Sequence, residues 1–334
     1  MGKYRGLGAS ISSSRILSIT RRGRFPVVEM EFWMTNLPQS LRELPLIHLA
    51  IPGSHDSTTF AITKKSKISP DARNPIQYLK FLEPLLSPIM VKWSRTQSVD
   101  VTQQLNAGIR YFDLRIATKK GCGGFYFVHN LYSECVNGVL KEIRNFLDTH
   151  YGEVVILDCQ HFFNMGAVEH CKFISLLVDT FGAKIQPRTD LTQLSLVKMT
   201  ENGKQVVVIY RSDLREDFLW PGGCFPTPWA NTVVIPKLIS FLNQNLKRRN
   251  YSLGFVSQCV LTPNIWYVCK NIFSSLVNKC VLPLETAKYD WIRKQRAGLK
   301  GVNIIISDFI DYQDYRFCKE VIDLNEKILN CSKE

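Results

Sequence analysis

The chain has 334 residues, of which 45% are hydrophobic and 21% are charged, and its formal net charge is +13. The length allows a large buried core, and no low-complexity tract dominates the composition. The excess of Lys and Arg favours a polyanionic partner, either a nucleic acid or an anionic membrane surface. Because no RNA-binding, zinc-finger or basic-zipper pattern occurs, we do not expect a nucleic acid partner.

Residues 1–30 are basic and serine-rich, and they contain no acidic residue before Glu29. This composition favours a disordered tail, with a mitochondrial transit peptide or a tether to anionic lipid as alternatives. No apolar run follows the first basic residues, and no window is apolar enough for a membrane span, so we expect neither a secretory signal nor an anchor. Ten scattered cysteines are typical of reduced thiols. The sequence therefore predicts a cytoplasmic protein whose association with membranes is peripheral.

From Trp33 onward, near-continuous apolar runs alternate with amphipathic segments such as Val136–His150 and Glu169–Phe181. Such runs are typical of buried parallel strands. The predicted strands are Ile47–Ile51, Ile109–Ile116, Phe125–His129, Val154–Cys159, Val206–Tyr210, Gly254–Leu261 and Val302–Ser307, with a weaker eighth near Trp229–Ile235. This alternation predicts an α/β barrel that occupies residues 31–334 as a single domain.

Two of the six histidines lie at predicted strand ends. His55 follows the first strand, within Ile-Pro-Gly-Ser-His-Asp-Ser, and His129 ends the third strand. In a barrel of parallel strands, the residues just past the C-terminal ends of the strands converge on one face, which holds the active site. We therefore expect both imidazoles at this face.

Three further polar residues are expected beside them. Asp113 and Arg115 are two residues apart in the second strand, so they share one side of the sheet. Asp308 follows the last strand, which lies beside the first strand in a closed barrel, and it can therefore reach His55. Two histidines that flank an arginine suit cleavage of a phosphodiester by an internal hydroxyl. One imidazole accepts a proton, the other donates one, and the guanidinium neutralises the charge of the transition state.

Five segments of the chain together resemble the phosphatidylinositol-specific phospholipase C X-domain-containing proteins, which are small eukaryotic proteins similar to bacterial phosphatidylinositol phospholipase C. The segments are Leu-Ala-Ile-Pro-Gly-Ser-His-Asp-Ser (49–57), Gln-Leu-Asn-Ala-Gly-Ile-Arg-Tyr-Phe-Asp-Leu-Arg (104–115), Phe-Val-His (127–129), Leu-Trp-Pro-Gly (219–222) and Asn-Ile-Ile-Ile-Ser-Asp-Phe-Ile (303–310). The resemblance covers nearly all of the chain from Trp33 onward, and it implies a distorted (β/α)8 TIM barrel.

The resemblance also implies a role for each residue of the site. His55 would be the general base for the inositol 2-hydroxyl, and Asp308 would orient it. Arg115 would bind the phosphate. His129 would be the general acid towards the diacylglycerol oxygen, supported by Asp56. The products would be diacylglycerol and a cyclic 1,2-inositol phosphate that water later opens.

The proteins that this chain resembles fall into subfamilies that differ in whether they bind calcium at the active site. The multidomain eukaryotic enzymes hold Ca²⁺ with acidic residues and an Asn, whereas here Gln160 stands near the position of a ligand carboxylate. Asp113 would join the network around Arg115, whose guanidinium occupies a divalent-cation site and repels a cation. The resemblance therefore implies a metal-independent form without a cofactor, although Asp113 and Asp158 leave calcium as an alternative.

The substrate contacts are less clearly defined by the sequence. Arg211 could bind a ring hydroxyl, and Tyr210 or Trp229 could stack on the sugar face. The expected partner is a phosphoinositide at an anionic phospholipid surface, which the lysine cluster at 64–67 could contact. Two other functions stay open: a barrel that binds a lipid head group or a protein without turnover, and a metal-dependent glycerophosphodiesterase. The sequence does not predict the oligomeric state.

Overall fold

The computed structural model describes residues 29–72, 77–78 and 80–331. Nearly all of the tail at residues 1–30 lies outside these ranges, so the tail and its boundary with the barrel stay predictions. The described strands are β1 Ile51–Ser54, β2 Tyr111–Lys119, β3 Cys122–His129, β4 Leu131–Cys135, β5 Val155–Phe163, β6 Val206–Tyr210, β7 Leu219–Pro221, β8 Val256–Gln258 and β9 Ile304–Ser307. They form one sheet.

Seven of these strands form a continuous parallel ladder in the order β7-β6-β5-β2-β1-β9-β8. The antiparallel strands β3 and β4 extend from β2. Beyond β7, the backbone at 224–227 lies beside β8, because the N–H of Gly254 donates to the Cys224 carbonyl and that of Val256 to the Pro226 carbonyl, both at 3.0 Å. These contacts bridge the two edges, so the predicted α/β barrel is confirmed, in a distorted form.

Alternate side chains of the parallel strands enter two separate apolar layers. The inner layer fills the barrel and includes Tyr111, Ile156, Val207, Ile209, Ile304 and Ile306. The outer layer lies between the sheet and the helices and includes Phe112, Leu157, Val208, Ile305 and the helical residues Ile143 and Leu177. This period of two decides which polar residues at the strand ends point into the barrel.

Helices cover the outside of the sheet. Their bounds are Gln39–Arg42, Glu83–Ser94, Val101–Asn106, Val136–Thr149, Ala167–Phe181, Leu196–Glu201, Ile235–Arg248, Ile265–Lys270, Leu282–Lys294, Tyr312–Ile322 and Glu326–Cys331, with a π-helical segment at Val277–Val281. The two helices predicted by name agree with these bounds to within two residues. None of the described helices has the length and apolar content needed to cross a bilayer.

Several strand predictions were wrong. Pro45 is followed by a 3-10 turn at Leu46–His48, so the first strand begins only at Ile51. No strand forms at Trp229–Ile235, where an irregular segment leads into the helix Ile235–Arg248, whose first turn contains a proline. Strands β4 and β7 were not predicted, because one is largely polar and the other has only three residues.

Candidate active site

The predicted polar residues meet at the C-terminal ends of three adjacent strands. His55 and Asp56 follow β1, Asp113 and Arg115 lie in β2, and Asp308 follows β9. Since β2, β1 and β9 are consecutive in the ladder, these side chains enter the mouth of the barrel from neighbouring positions.

His55 is paired with Asp308 across the first and last strands. Ser54 and Ser307 are in register at the ends of β1 and β9, so the residues that follow them are neighbours. The Nδ1 atom of His55 lies 2.7 Å from Oδ1 of Asp308. Its Nε2 atom lies 3.5 Å from Oδ2 of Asp56 and 3.9 Å from Oδ2 of Asp113. The ring is therefore surrounded by three carboxylates.

These carboxylates determine the protonation of His55. Burial alone would lower the pKa of the imidazole, but the charges of Asp56, Asp308 and Asp113 outweigh it and raise the pKa of His55 to about 9. Burial, together with the charge of Asp56, raises the pKa of Asp113 above its usual range. In the substrate-free site, His55 is therefore a cation at neutral pH.

Asp56 lies between three basic groups. Its Oδ1 atom is 2.5 Å from Nε of Arg115, and its Oδ2 atom is 3.3 Å from Nε2 of His129 as well as 3.5 Å from Nε2 of His55. Burial would raise the pKa of this carboxyl, but Arg115 and the two histidines outweigh it and lower the pKa to about 2. Neither oxygen of Asp56 accepts a well-aligned hydrogen bond, so these distances describe the close approach of basic groups rather than hydrogen bonds.

The backbone of Asp56 is unusual. Its φ of +42° is in the left-handed region, which a residue other than glycine adopts at a cost in free energy. The Asp56 N–H donates to Oδ2 of Asp113 at 3.3 Å, and the next N–H, of Ser57, donates to the Asp113 carbonyl at 3.0 Å. These bonds to β2 hold the turn that places the Asp56 carboxylate in the mouth.

His129 lies in the site, but the strand that carries it differs from the predicted one. The prediction placed it at the end of a parallel barrel strand, but β3 is antiparallel to β2. Strand β2 extends beyond the barrel to Lys119, and β3 returns so that Phe127 pairs with Ile116, which brings His129 back towards Arg115. The Nδ1–H of His129 donates to the Ser94 carbonyl at 2.8 Å, because a carbonyl can only accept. Its Nε2 atom faces Asp56.

A second buried pair lies beside this group, because Asp158 in β5 is in register with Asp113 in β2. Asp158 is fully buried and accepts hydrogen bonds from Nε and Nη2 of Arg211, at 2.9 and 2.8 Å. The Tyr111 hydroxyl donates to the same carboxylate at 2.7 Å, and the Gln160 amide at 3.3 Å. Burial raises the pKa of Asp158, and Arg211 opposes this effect. Arg211 thus lies inside the barrel, as its predicted role requires, but binding of a ring hydroxyl stays a prediction.

Similarity to known proteins agrees with this geometry. The chain is 41% identical over 299 residues to PI-PLC X domain-containing protein 3 of Homo sapiens, and the alignment covers 88% of this chain and 92% of the relative. It is 38% identical over 311 residues to PI-PLC X domain-containing protein 1 of Homo sapiens, with 90% and 94% covered. The chain belongs to the family of PI-PLC X domain-containing proteins. A scan against models of protein families gave no match.

Solved structures of bacterial proteins share the fold of this X-domain protein. The phosphatidylinositol-specific phospholipase C of Listeria monocytogenes superposes with a TM-score of 0.60 at 18% identity, covering 89% of this chain and 99% of that one. The phosphatidylinositol-specific phospholipase C of Staphylococcus aureus gives 0.63 at 16% identity, covering 89% and 98%. Identities this low show the fold alone, and they confirm the distorted TIM barrel.

The structure corrects one predicted substrate contact of the X-domain chain. Tyr210 precedes the inward-facing Arg211 and therefore points outward, where only 1% of it is exposed. Its ring packs against Phe173, and its hydroxyl bonds Nδ1 of His170 at 2.7 Å. The prediction that Tyr210 stacks on the substrate was wrong. Trp229 is 49% exposed, and its indole N–H donates to the Thr262 hydroxyl at 2.8 Å, so its contact with the sugar stays a prediction.

Some residues that hold the site were not found from the sequence. Ser57 Oγ accepts the backbone N–H of Asp113 at 2.9 Å. Thr96 and Gln97 are buried and bond the backbone around His55. Ser57 is the last residue of the motif Ile-Pro-Gly-Ser-His-Asp-Ser, so its position in the sequence could have indicated its role. Thr96 and Gln97 gave no signal, because their partners are distant in the chain.

Proposed function

We propose that this X-domain protein is a phosphoinositide phosphodiesterase of the phospholipase C type, which releases diacylglycerol from a phosphatidylinositol-type lipid. The observation that carries the proposal is the arrangement around Asp56. The Nε2 atoms of His55 and His129 both lie within 3.5 Å of the same carboxylate oxygen, and Arg115 contacts the other oxygen. Two imidazole nitrogens, which can accept or donate a proton, and a guanidinium therefore face one small space, as acid–base cleavage of a phosphodiester requires.

The first step transfers the phosphoryl group within the substrate. The inositol 2-oxygen forms a bond to phosphorus as its proton passes to neutral His55, and the bond from phosphorus to the glycerol oxygen breaks. His129 donates the proton that the diacylglycerol oxygen needs. Arg115 binds the non-bridging oxygens, where negative charge grows in the transition state. The products are diacylglycerol and a cyclic inositol phosphate.

The second step reverses the two histidine roles. After the first step His55 carries a proton and His129 has lost one, so His129 can take a proton from water that attacks the cyclic phosphate. His55 then returns its proton to the inositol 2-oxygen as the bond from that oxygen to phosphorus breaks. Both rings end in their starting states, and the product is inositol phosphate.

We propose that this chemistry needs no metal ion. His55, Asp56 and Asp113 could offer three ligand atoms within 4.8 Å of one another. However, Arg115 contacts Asp56 at 2.5 Å, so a divalent cation at this position would meet a guanidinium charge at close range. The neighbouring carboxylate of Asp158 is paired with Arg211. The available carboxylates are therefore already engaged with basic side chains.

The surface around the mouth supports an anionic membrane as the partner. Several exposed large apolar side chains lie in segments that follow the C-terminal ends of β1, β7 and β8, at the same end as His55. They are Tyr78, Phe81 and Leu85, then Trp229 and Val234, then Trp266, Phe273 and Leu282. The exposed Lys64 and Lys65 lie in the same part of the chain as the first group. Aromatic and basic residues together suit an anionic lipid interface.

The experiment that tests the proposal measures release of water-soluble inositol phosphate from phosphatidylinositol vesicles, with and without EDTA. We expect turnover that EDTA does not change and that the His55→Ala and His129→Ala variants lack. Turnover that EDTA abolishes would instead favour the metal-dependent phosphodiesterase. Binding to the vesicles without turnover would favour a lipid-binding barrel, a function that the protonated state of His55 at neutral pH also allows.

A further inference from the structure

Two fully buried polar side chains lie beside the site without a role in the proposed chemistry. Thr96 and Gln97 follow the helix Glu83–Ser94, and they are only 1% and 0% exposed. A buried amide or hydroxyl is costly unless its hydrogen bonds are satisfied, so the partners of these groups show what they hold. We define residues 94–97 as the clamp segment.

Gln97 joins the two chain segments that carry the His55–Asp308 pair. Its Nε2 atom donates to the carbonyl of His55 and to the carbonyl of Ser307, both at 3.0 Å. Its Oε1 atom accepts the N–H of Ile310 at 3.3 Å. These partners are 42 and more than 200 residues away in the chain. One side chain thus bonds the backbone on both sides of the catalytic pair.

Thr96 adds contacts to the same backbone. Its hydroxyl lies 3.1 Å from the His55 carbonyl and 3.2 Å from the Asp56 carbonyl, and its own carbonyl accepts the N–H of Phe309 at 2.6 Å. Thr59 holds the backbone of this segment, because its Oγ1 atom accepts the N–H groups of Thr96 and Gln97 at 3.0 and 3.1 Å. The clamp segment is therefore itself fixed in place.

The other histidine bonds the first residue of the clamp segment, Ser94. The Ser94 carbonyl accepts Nδ1–H of His129 at 2.8 Å, which fixes which nitrogen of that ring faces Asp56. Strands β1 and β9 end at Ser54 and Ser307, and their pairing continues with the bond from the His55 N–H to the Ser307 carbonyl at 3.1 Å. The clamp segment adds side-chain bonds to the backbone at this point, where the regular ladder ends. A distortion of about 1 Å can reduce turnover on the order of 100-fold.

We propose that Thr96 and Gln97 are positioning residues that hold His55 and Asp308 in contact, while Ser94 in the same clamp segment orients His129. The effect on turnover rests on the proposed function, but the effect on the geometry of His55 does not. Loss of the Gln97 amide would let the two segments move apart, and the His55 imidazole would lose part of its contact with the Asp308 carboxylate.

The test compares Gln97→Leu with Gln205→Leu. Gln205 is an equally buried amide that donates to two carbonyls, those of His150 and Glu153, at 2.8 and 3.0 Å, but it lies at the opposite end of the barrel. NMR titration of protein labelled at histidine, with His55→Ala to assign the signal, gives the pKa of His55 in each variant. We expect Gln97→Leu to lower this pKa by about one unit. We expect Gln205→Leu to leave it unchanged.

Kinetics on phosphatidylinositol vesicles give a second readout. Gln97→Leu should lower kcat by roughly 10- to 100-fold with little change in KM. If that variant does not fold, Thr96→Val removes only the hydroxyl and should shift the His55 titration in the same direction. Folded variants of both residues that keep the original His55 titration would overturn the positioning role. A protein without turnover would contradict the proposed function, while the titration would still decide the role of the clamp segment.

Discussion

His55 and Asp308 are 253 residues apart in the chain, yet their side chains meet at 2.7 Å because the first and last strands of the barrel are neighbours. This contact, together with Asp56 and Asp113, outweighs the effect of burial and raises the pKa of His55 to about 9. A general base must be neutral to accept a proton. The arrangement that orients the proposed base therefore also keeps it protonated in the substrate-free protein at pH 7.

We expect kcat/KM to rise with pH as the protonated fraction of His55 falls, over the range in which His129 keeps the proton that it donates. The raised pKa means that the neutral fraction increases about tenfold per pH unit until the pH approaches 9. Asp308→Asn removes one of the charges that raise this pKa, so the rise should occur at lower pH, with a reduced maximum because the ring is less well oriented. Measurement of kcat/KM from pH 6 to 10 tests both expectations. A pH profile that Asp308→Asn leaves unshifted would show that His55 is not the base.

Arg115 is expected to tolerate even a conservative substitution poorly. Its Nε atom lies 2.5 Å from Asp56, and its Nη2 atom lies 3.9 Å from Asp113, so the guanidinium reaches two carboxylates at once. Lysine has the same charge but no planar group of several donors. Arg115→Lys should lower kcat/KM by about 100- to 1,000-fold, the effect of losing a preorganised donor to the transition state. An unchanged melting temperature would show that the loss is local, whereas full activity would mean that charge alone suffices.

Removal of one partner of the Asp158–Arg211 pair should be strongly destabilising. Removal of Arg211 leaves the fully buried Asp158 without its counter-ion, so Arg211→Met should lower the free energy of unfolding by about 3–5 kcal/mol. Arg144 is a matched control, since it forms a pair with Asp148 in which both side chains are well exposed. Arg144→Met should cost about 1 kcal/mol or less. Urea denaturation of both variants makes the comparison, and equal losses would contradict the importance of burial.

The parts of the site that follow from strand order could be predicted from the sequence. Asp308 was placed beside His55 because a closed barrel makes its last strand the neighbour of its first. Asp113 and Arg115 were placed together by the alternation of side chains in one strand. The same alternation would have excluded Tyr210 from the pocket, since the inward direction of Arg211 requires its neighbour to point outward.

Other parts depend on tertiary contacts that leave no local pattern. The extension of β2 beyond the barrel, and the return of β3, decide where His129 lies. The left-handed backbone of Asp56 places its carboxylate among three basic groups, and no residue nearby in the chain signals this conformation. Gln97 resembles an ordinary loop residue until the carbonyls that it bonds are known. Sequence patterns identify these residues poorly because their partners come from separate parts of the barrel.

The apolar residues around the mouth should control binding to vesicles separately from chemistry. Phe81 is 77% exposed and Trp266 is 74% exposed, and both lie in segments at the same end of the barrel as His55. Tyr151, which is 74% exposed and precedes β5 at the opposite end, is a matched control. Insertion of a large apolar side chain into a lipid interface contributes about 1.5 kcal/mol or more, so each substitution by Ser at the mouth should weaken binding about tenfold.

Sedimentation with vesicles of phosphatidylinositol and phosphatidylcholine measures this effect. We expect Phe81→Ser and Trp266→Ser to lower the bound fraction, and the double variant to lower it further, whereas Tyr151→Ser should bind as the original protein does. Turnover of a short-chain substrate below its micellar concentration should stay unchanged in all of them, because these three exposed side chains have no part in the proposed proton transfers. Equal binding by the mouth variants and the control would show that the membrane meets a different surface.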